Sequence, residues 1–276
     1  MLRDLPTGRS TWLGVVAILL WSTSVAVARS IAAQLGPATA GAAVYLTASL
    51  VLFCVLARER SWTALRRLPA RYVLGCGALF IVYTMALFHA LGLAENARQT
   101  LEIGLLNYLW PALTILFSLP ILGNRARVLL IPGTVLALAG VALVLSPGTG
   151  VSLRSLAEGF RENPGAYCLG LLAAVSWALY SNLARRWGDP ESHGGVLLFT
   201  IAAVVAFGLV RALHAEPGRI SVRAGCEVAF LGLATAFAYV FWDVAMRRGN
   251  LLLVARAGFS SNRGRLWRLC GGSYRT

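Results

Sequence analysis

The chain reads as an all-α integral membrane protein on a ten-helix plan. Two five-helix repeats of opposite orientation (5+5) are expected, with about eight transmembrane helices complete and an atypical, truncated C-terminal tail. Three observations lead there. Of 276 residues, 58% are hydrophobic and only 13% charged, with a mean hydropathy of +0.69, whereas soluble domains are about half apolar and about a quarter charged. Eight apolar stretches are long enough to cross roughly 30 Å of hydrocarbon, which takes about 20 residues each. Finally, one pattern of residues returns at a constant offset along the chain.

The first span runs approximately from Trp12 to Ala33, behind Arg3 and Arg9. The second, Thr39 to Ala57, and the third, Tyr72 to Leu93, are parted by Arg58, Arg60, Arg66, Arg67 and Arg71. Leu101 to Leu122 and Val128 to Leu145 follow, with Arg125 and Arg127 between them. Ala166 to Leu183, Gly195 to His214 and Cys226 to Met246 complete the set. The linkers are short and turn-rich, with no soluble domain among them.

Charge gives the orientation. All 25 basic residues are Arg, which points to a GC-rich coding sequence and a bacterial source. The formal net charge of +14 sits in clusters between apolar runs, as the positive-inside rule expects, which sets nucleic-acid binding aside. Counting alternate sides places thirteen Arg with the N-terminus and six opposite (Arg98, Arg154, Arg161, Arg211, Arg219 and Arg223). The N-terminus is therefore expected in the cytoplasm. MLRDLPTGRS before an apolar run also has the form of a signal peptide, a reading disfavoured because the same run recurs. Cys54, Cys76, Cys168, Cys226 and Cys270 lack paired spacing and read as small packing residues.

The recurrence pairs LGVVAILLWSTSVAVAR in span one with LGLLAAVSWALYSNLAR in span six. Gly14, Trp21 and Arg29 match Gly170, Trp177 and Arg185 at an offset of 156. Gly75, Phe80 and Gly92 match Gly232, Phe237 and Gly249 at 157. Five spans per copy is odd, so successive copies enter the bilayer from opposite sides, the inverted repeat of many transporters. The copies are expected over residues 11–146 and 166–257, the second incomplete, followed by a tail over 258–276. That tail, GFSSNRGRLWRLCGGSYRT, carries Arg263, Arg265, Arg268 and Arg275. Each Arg at a span centre costs about 2.5–3.5 kcal/mol, so the tail is expected not to span, and a truncated or frame-shifted end is expected.

Functional candidates cluster in EIGLLNYLWPALTILF, residues 102–117. Thr100 is expected to cap this helix, with Glu102 in its first turn near Arg98, either as a solvated terminus or as an entrance charge for an ammonium group. Pro111 lacks an N–H, so the carbonyl of Asn107 loses its helical partner and must face protein, water or a ligand. At about 1.5 Å per residue, Trp110 lies about 12 Å below Glu102, near mid-membrane, and Trp21 and Trp177 come out at the same depth. Tyr83 and Tyr239 lie at similar depth; Tyr180 shares a face with Trp177, and Ser24 with Trp21. These aromatics either fill helix interfaces or line a cavity, and for the set the cavity is expected. Asp243 reads as a proton site, a cation-binding carboxylate or the partner of Arg247; His89 either titrates or packs through a hydrogen bond. No phosphate loop, metal motif or catalytic set is present in the pattern, so neither an enzyme nor a cofactor is expected.

WSTSVAVAR in span one, EIGLLNYLWPALTILF in span four and FAYVFWDVAMRRGN in span eight resemble the EamA family of the drug/metabolite transporter superfamily. NYLWPALTILF is most similar to its branch of bacterial aromatic amino acid exporters. The resemblance, over roughly residues 11 to 257, implies a basket-shaped inner-membrane exporter whose central cavity moves amino acids outward by alternating access. It also implies cavity residues Trp21, Tyr83, Asn107, Tyr108, Trp110, Trp177 and Tyr239, while Asp243 stands where that branch would have Asn. The expected partners are a small-molecule amino acid substrate and the lipid bilayer, with the chain a monomer and a dimer left open. Two other readings stay open: a multidrug or organic cation exporter with Asp243 as its charge, and a membrane protein that does not transport.

Overall fold

The computed structural model describes residues 7–58, 65, 68–123, 152–188, 194–216 and 218–248, and these fold almost entirely into helices. They are α1 (Thr7–Ser22), α2 (Ser24–Leu35), α3 (Pro37–Arg58), α4 (Gly77–Leu93), α5 (Ala97–Asn107), α6 (Trp110–Leu122), α7 (Leu153–Glu162), α8 (Pro164–Trp187), α9 (Gly195–Leu213) and α10 (Val222–Arg248). Seven of the eight expected spans are present as helical stretches long and apolar enough to cross a membrane: Trp12–Leu35, Pro37–Arg58, Tyr72–Leu93, Ala97–Leu122, Pro164–Trp187, Gly195–Leu213 and Val222–Trp242. The expected span Val128 to Leu145, the Asp243 side chain and the tail from Gly258 lie outside the described residues.

Two of the seven spans are broken near their middles. In span one, Thr23 Oγ1 donates to the Leu20 carbonyl at 2.9 Å and Ser24 Oγ to the Trp21 carbonyl at 2.6 Å. Such bonds compete with the helical ladder, and they part α1 from α2 at Thr23. In span four the interruption at Tyr108 and Leu109 sits just ahead of Pro111, which lies in the first turn of α6. A proline there is tolerated, because that turn's N–H groups have no helical acceptor. Span three opens with a single π-helical turn, Tyr72–Cys76.

The N-terminus of α5 differs from expectation. Its cap is Asn96, whose side chain accepts from the Gln99 N–H at 2.9 Å, while the Thr100 hydroxyl only donates back to the Asn96 carbonyl. Between the halves, α7 carries a Ser152/Ser155 capping box, and Asn163 ends it and caps α8.

Packing pairs α1 with α10 and α8 with α4, so the first span of each expected repeat lies against the third span of the other. Small buried residues such as Ala17 on α1, Ala90 on α4, Ala173 and Ala174 on α8 and Ala238 on α10 let these helices approach closely, the usual way membrane helices gain dispersion contact. Leu50, Phe53, Leu74, Leu116, Val205 and Leu209 face outward, as a lipid-facing surface requires. The repeat mates are not equivalent: Phe80 is fully buried while Phe237 is 45% exposed.

Two polar ties close one end of the bundle. Gly36, at φ 86°, makes the turn between α2 and α3, and Glu216 then accepts from Ala38 N, Thr39 N and Thr39 Oγ1 at 2.7–2.8 Å. Partial burial pushes the Glu216 carboxyl up, but these three hydrogen bonds outweigh it and hold the group below its ordinary 4.5. Nearby, Glu227 on α10 accepts from Ser30 at 3.0 Å and Gln34 at 2.8 Å on α2, and pairs with Arg223.

Candidate functional site

The helix breaks deliver aromatic side chains to one place. Trp21 stands next to the α1/α2 break and Trp110 opens α6 at the other; Trp177 comes from mid-α8, and Tyr239 and Trp242 from α10. Trp21 is the hub. Its ring centroid lies 6.2 Å from Trp110, 5.3 Å from Trp177, 5.6 Å from Tyr239 and 5.4 Å from Trp242. Trp110 and Trp242 meet edge to face at 5.2 Å, Tyr83 reaches Trp177 at 4.7 Å, and Tyr180 and Tyr239 stack on Trp177 at 4.9 and 5.6 Å. These are the separations at which aromatic rings attract, each pair contributing about 0.5–1.5 kcal/mol beyond area burial.

Of the residues singled out in the sequence, Trp21, Tyr83, Trp110, Trp177 and Tyr239 therefore share one cage. Asn107 ends α5 one turn before Trp110; it is buried, and among the described residues its Oδ1 has no hydrogen-bond partner. Tyr108 is 38% exposed, and its hydroxyl donates at 3.1 Å to the Trp21 carbonyl, tying the two breaks together. Among the described residues these rings pack on one another, and a cavity beside them, lined by Trp177, Tyr180, Ser181, Ala184, Val196, Tyr239 and Trp242, holds about 10 Å³. That is close to the least that admits a single water.

Glu102 occupies neither of its expected settings. It is fully buried: α7 and the start of α8 fold over α5, so that Ser155 Oγ donates to Oε1 at 2.6 Å and the Tyr167 hydroxyl to Oε2. Gly159 allows the approach, since a Cβ there would strike the Tyr167 ring and hydroxyl. His89 packs, with Nδ1 2.8 Å from the Met85 carbonyl and its ring stacked on Phe207.

Sequence reasoning missed Tyr45, Phe80 and Trp242 as members of the cage and its wall. Tyr45 and Tyr239 share a hydrogen bond at 3.0 Å, and Phe80 lies 5.1 Å from Tyr239. The i,i+3 spacing from Tyr239 to Trp242 was a usable signal. Tyr45 gave none, because its span has no repeat mate of like chemistry to mark it.

Comparison with known proteins identifies the family. Residues 9–146 match the EamA-like transporter family. The chain is 32% identical over 248 residues to the aromatic amino acid exporter YddG of Salmonella typhimurium, covering 90% of this chain and 83% of that one. The YddG of Escherichia coli K12 gives 31% over the same shares, and that of Ancylobacter novellus 33% over 261 residues, 91% of this chain and 84% of its own. A protein of known crystal structure superposes with a TM-score of 0.73 at 27% identity, over 95% of this chain and 93% of that one.

Proposed function

From the premise that this chain belongs to the EamA-like transporter family, a family of membrane transporters and not of enzymes, we propose that it exports aromatic and other neutral amino acids from a bacterial cytoplasm. The similar exporters named for aromatic amino acids supply the substrate class, and the convergence of Trp21, Trp110 and Trp177 carries the reading. A substrate ring that enters between these indoles exchanges ring–ring contacts within the protein for contacts of the same kind with the ligand, so parting the rings costs little net dispersion energy. The buried Asn107 Oδ1, lacking a donor, suits the substrate ammonium. The broken spans supply hinges, since the residues at a helix interruption absorb backbone rotation with few ladder bonds to sever.

The excess of Arg on the N-terminal side supports an inner-membrane chain with its N-terminus in the cytoplasm, and the packing of α1 on α10 and α8 on α4 supports the inverted repeat. Efflux of labelled phenylalanine from proteoliposomes tests the proposal. Export that Trp110→Ala lowers at least ten-fold is expected. Export that Trp110→Ala leaves unchanged removes the site, and absence of flux in the unaltered protein removes the substrate.

A further inference from the structure

The water-sized cavity beside the cage has a chemistry of its own. Three of its lining residues, Trp177, Ser181 and Trp242, carry polar atoms that are buried and lack a hydrogen-bond partner among the described residues: the two indole Nε1 atoms and the serine Oγ. They are 1%, 1% and 6% exposed. Unpartnered buried donors are costly, and in a membrane span water does not relieve them. Ser181 makes the point sharply, because buried hydroxyls in helices ordinarily bond back to the carbonyl four residues earlier. Thr114 does so to Trp110 and Ser49 to Tyr45, each at 2.7 Å, while Ser181, four residues after Trp177, does not.

An indole N–H is a donor only, so two of the three atoms can serve nothing but an acceptor. The Tyr239 hydroxyl nearby is engaged, bonded to Tyr45. No charged side chain lines the cavity among the described residues. On α5 the unpartnered Asn107 Oδ1 is of the opposite kind, an acceptor. Donors gathered between α8 and α10 and an acceptor on α5 give the cage a polarity that matches a zwitterion.

We propose that Trp177 Nε1, Ser181 Oγ and Trp242 Nε1 form the carboxylate subsite of the cage, fixing an amino acid with its carboxylate between α8 and α10 and its ammonium toward Asn107. The proposal rests on the amino acid reading given above. The cavity has room for about one oxygen atom, so a carboxylate seats there as the rings part. Neutral donors suit a carrier, because they hold the anion without the tight ion pair that an Arg would make and that would slow release.

The test uses proteoliposomes and three ligands sharing a phenyl ring: phenylalanine, phenethylamine, which lacks the carboxylate, and 3-phenylpropionate, which lacks the ammonium. In Ser181→Ala and in Trp242→Phe, binding of phenylalanine and phenylpropionate is expected to weaken about ten-fold, with phenethylamine unchanged. Ser181→Thr, which keeps the hydroxyl, is expected to restore most of the loss, and an unchanged melting temperature shows that the variants fold. Equal weakening of all three ligands, or unaltered phenylalanine binding in both variants, overturns the subsite and leaves a packing cavity. If the unaltered protein moves no phenylalanine yet binds phenylpropionate in a manner lost with Ser181→Ala, the substrate reading fails while the subsite stands.

Discussion

Removing the Glu102 carboxylate while keeping its volume, and then removing both, isolates what ties the linker helix to the bundle. Glu102→Ala strips the acceptor from two buried hydroxyls, Ser155 Oγ and Tyr167 Oη. Ser155 Oγ keeps the Ser152 carbonyl at 3.0 Å as an acceptor, so the Tyr167 hydroxyl alone is left unsatisfied, at about 1–3 kcal/mol before any cavity is counted. For a protein of this size about 1 kcal/mol moves the melting temperature by about 2–4 °C, and a fall of about 5 °C is expected. Glu102→Gln keeps one carbonyl acceptor and adds an amide that can donate to the other hydroxyl oxygen, so its cost is about 1 kcal/mol or less. Melting of the purified protein in detergent, followed by circular dichroism, separates the variants. Equal loss in both, or none in Glu102→Ala, would refute the claim that these two hydrogen bonds hold α7 and α8 on α5.

Three further outcomes are expected. Gly159→Ala places a methyl against the Tyr167 ring and hydroxyl, so it should lower the melting temperature nearly as far as Glu102→Ala and add little in the double variant, since the two share one contact. Because the folded Glu216 carboxyl titrates below its ordinary 4.5, it stabilises the fold above that pH and the contribution disappears as pH falls through the lower folded value; a melting series in acid should show a steeper decline for the unaltered protein than for Glu216→Gln. Tyr108→Phe removes one of two donors to the Trp21 carbonyl, the other being Ser24 at 2.6 Å, so phenylalanine flux should change less than ten-fold, against a far larger loss in a Tyr108→Phe/Ser24→Ala pair.

Much of the fold was legible because a bilayer imposes simple rules on sequence. Span length follows from hydrocarbon thickness, and the seven spans described begin within a few residues of where the apolar runs do. The cage was legible through the repeat: Trp21 and Trp177 occupy matching positions, so a shared depth, and hence their meeting, followed from the offset of 156. Glu102 was misplaced because nothing local announces that α7, separated by more than fifty residues, folds over it. Burial of a carboxylate by a distant hydroxyl is a tertiary fact, invisible to helix-end reasoning. The extent of the hollow was illegible for a related reason. Residue depth says that rings converge, but whether they leave a gap depends on side-chain rotation, and indoles without a ligand lower their energy by packing on one another. Trp242 and Ser181 entered the site by the same route, as residues whose neighbours in space rather than in sequence define their role.

The central claim is that an aromatic amino acid enters among Trp21, Trp110 and Trp177. Replacing Trp12, Trp62, Trp187, Trp242 and Trp267 by Phe leaves those three indoles as the protein's fluorophores, and phenylalanine does not absorb where indole is excited. Titration with phenylalanine should then shift their emission saturably, over the concentration range that saturates export by the same variant. Emission that stays constant while export saturates would contradict the account.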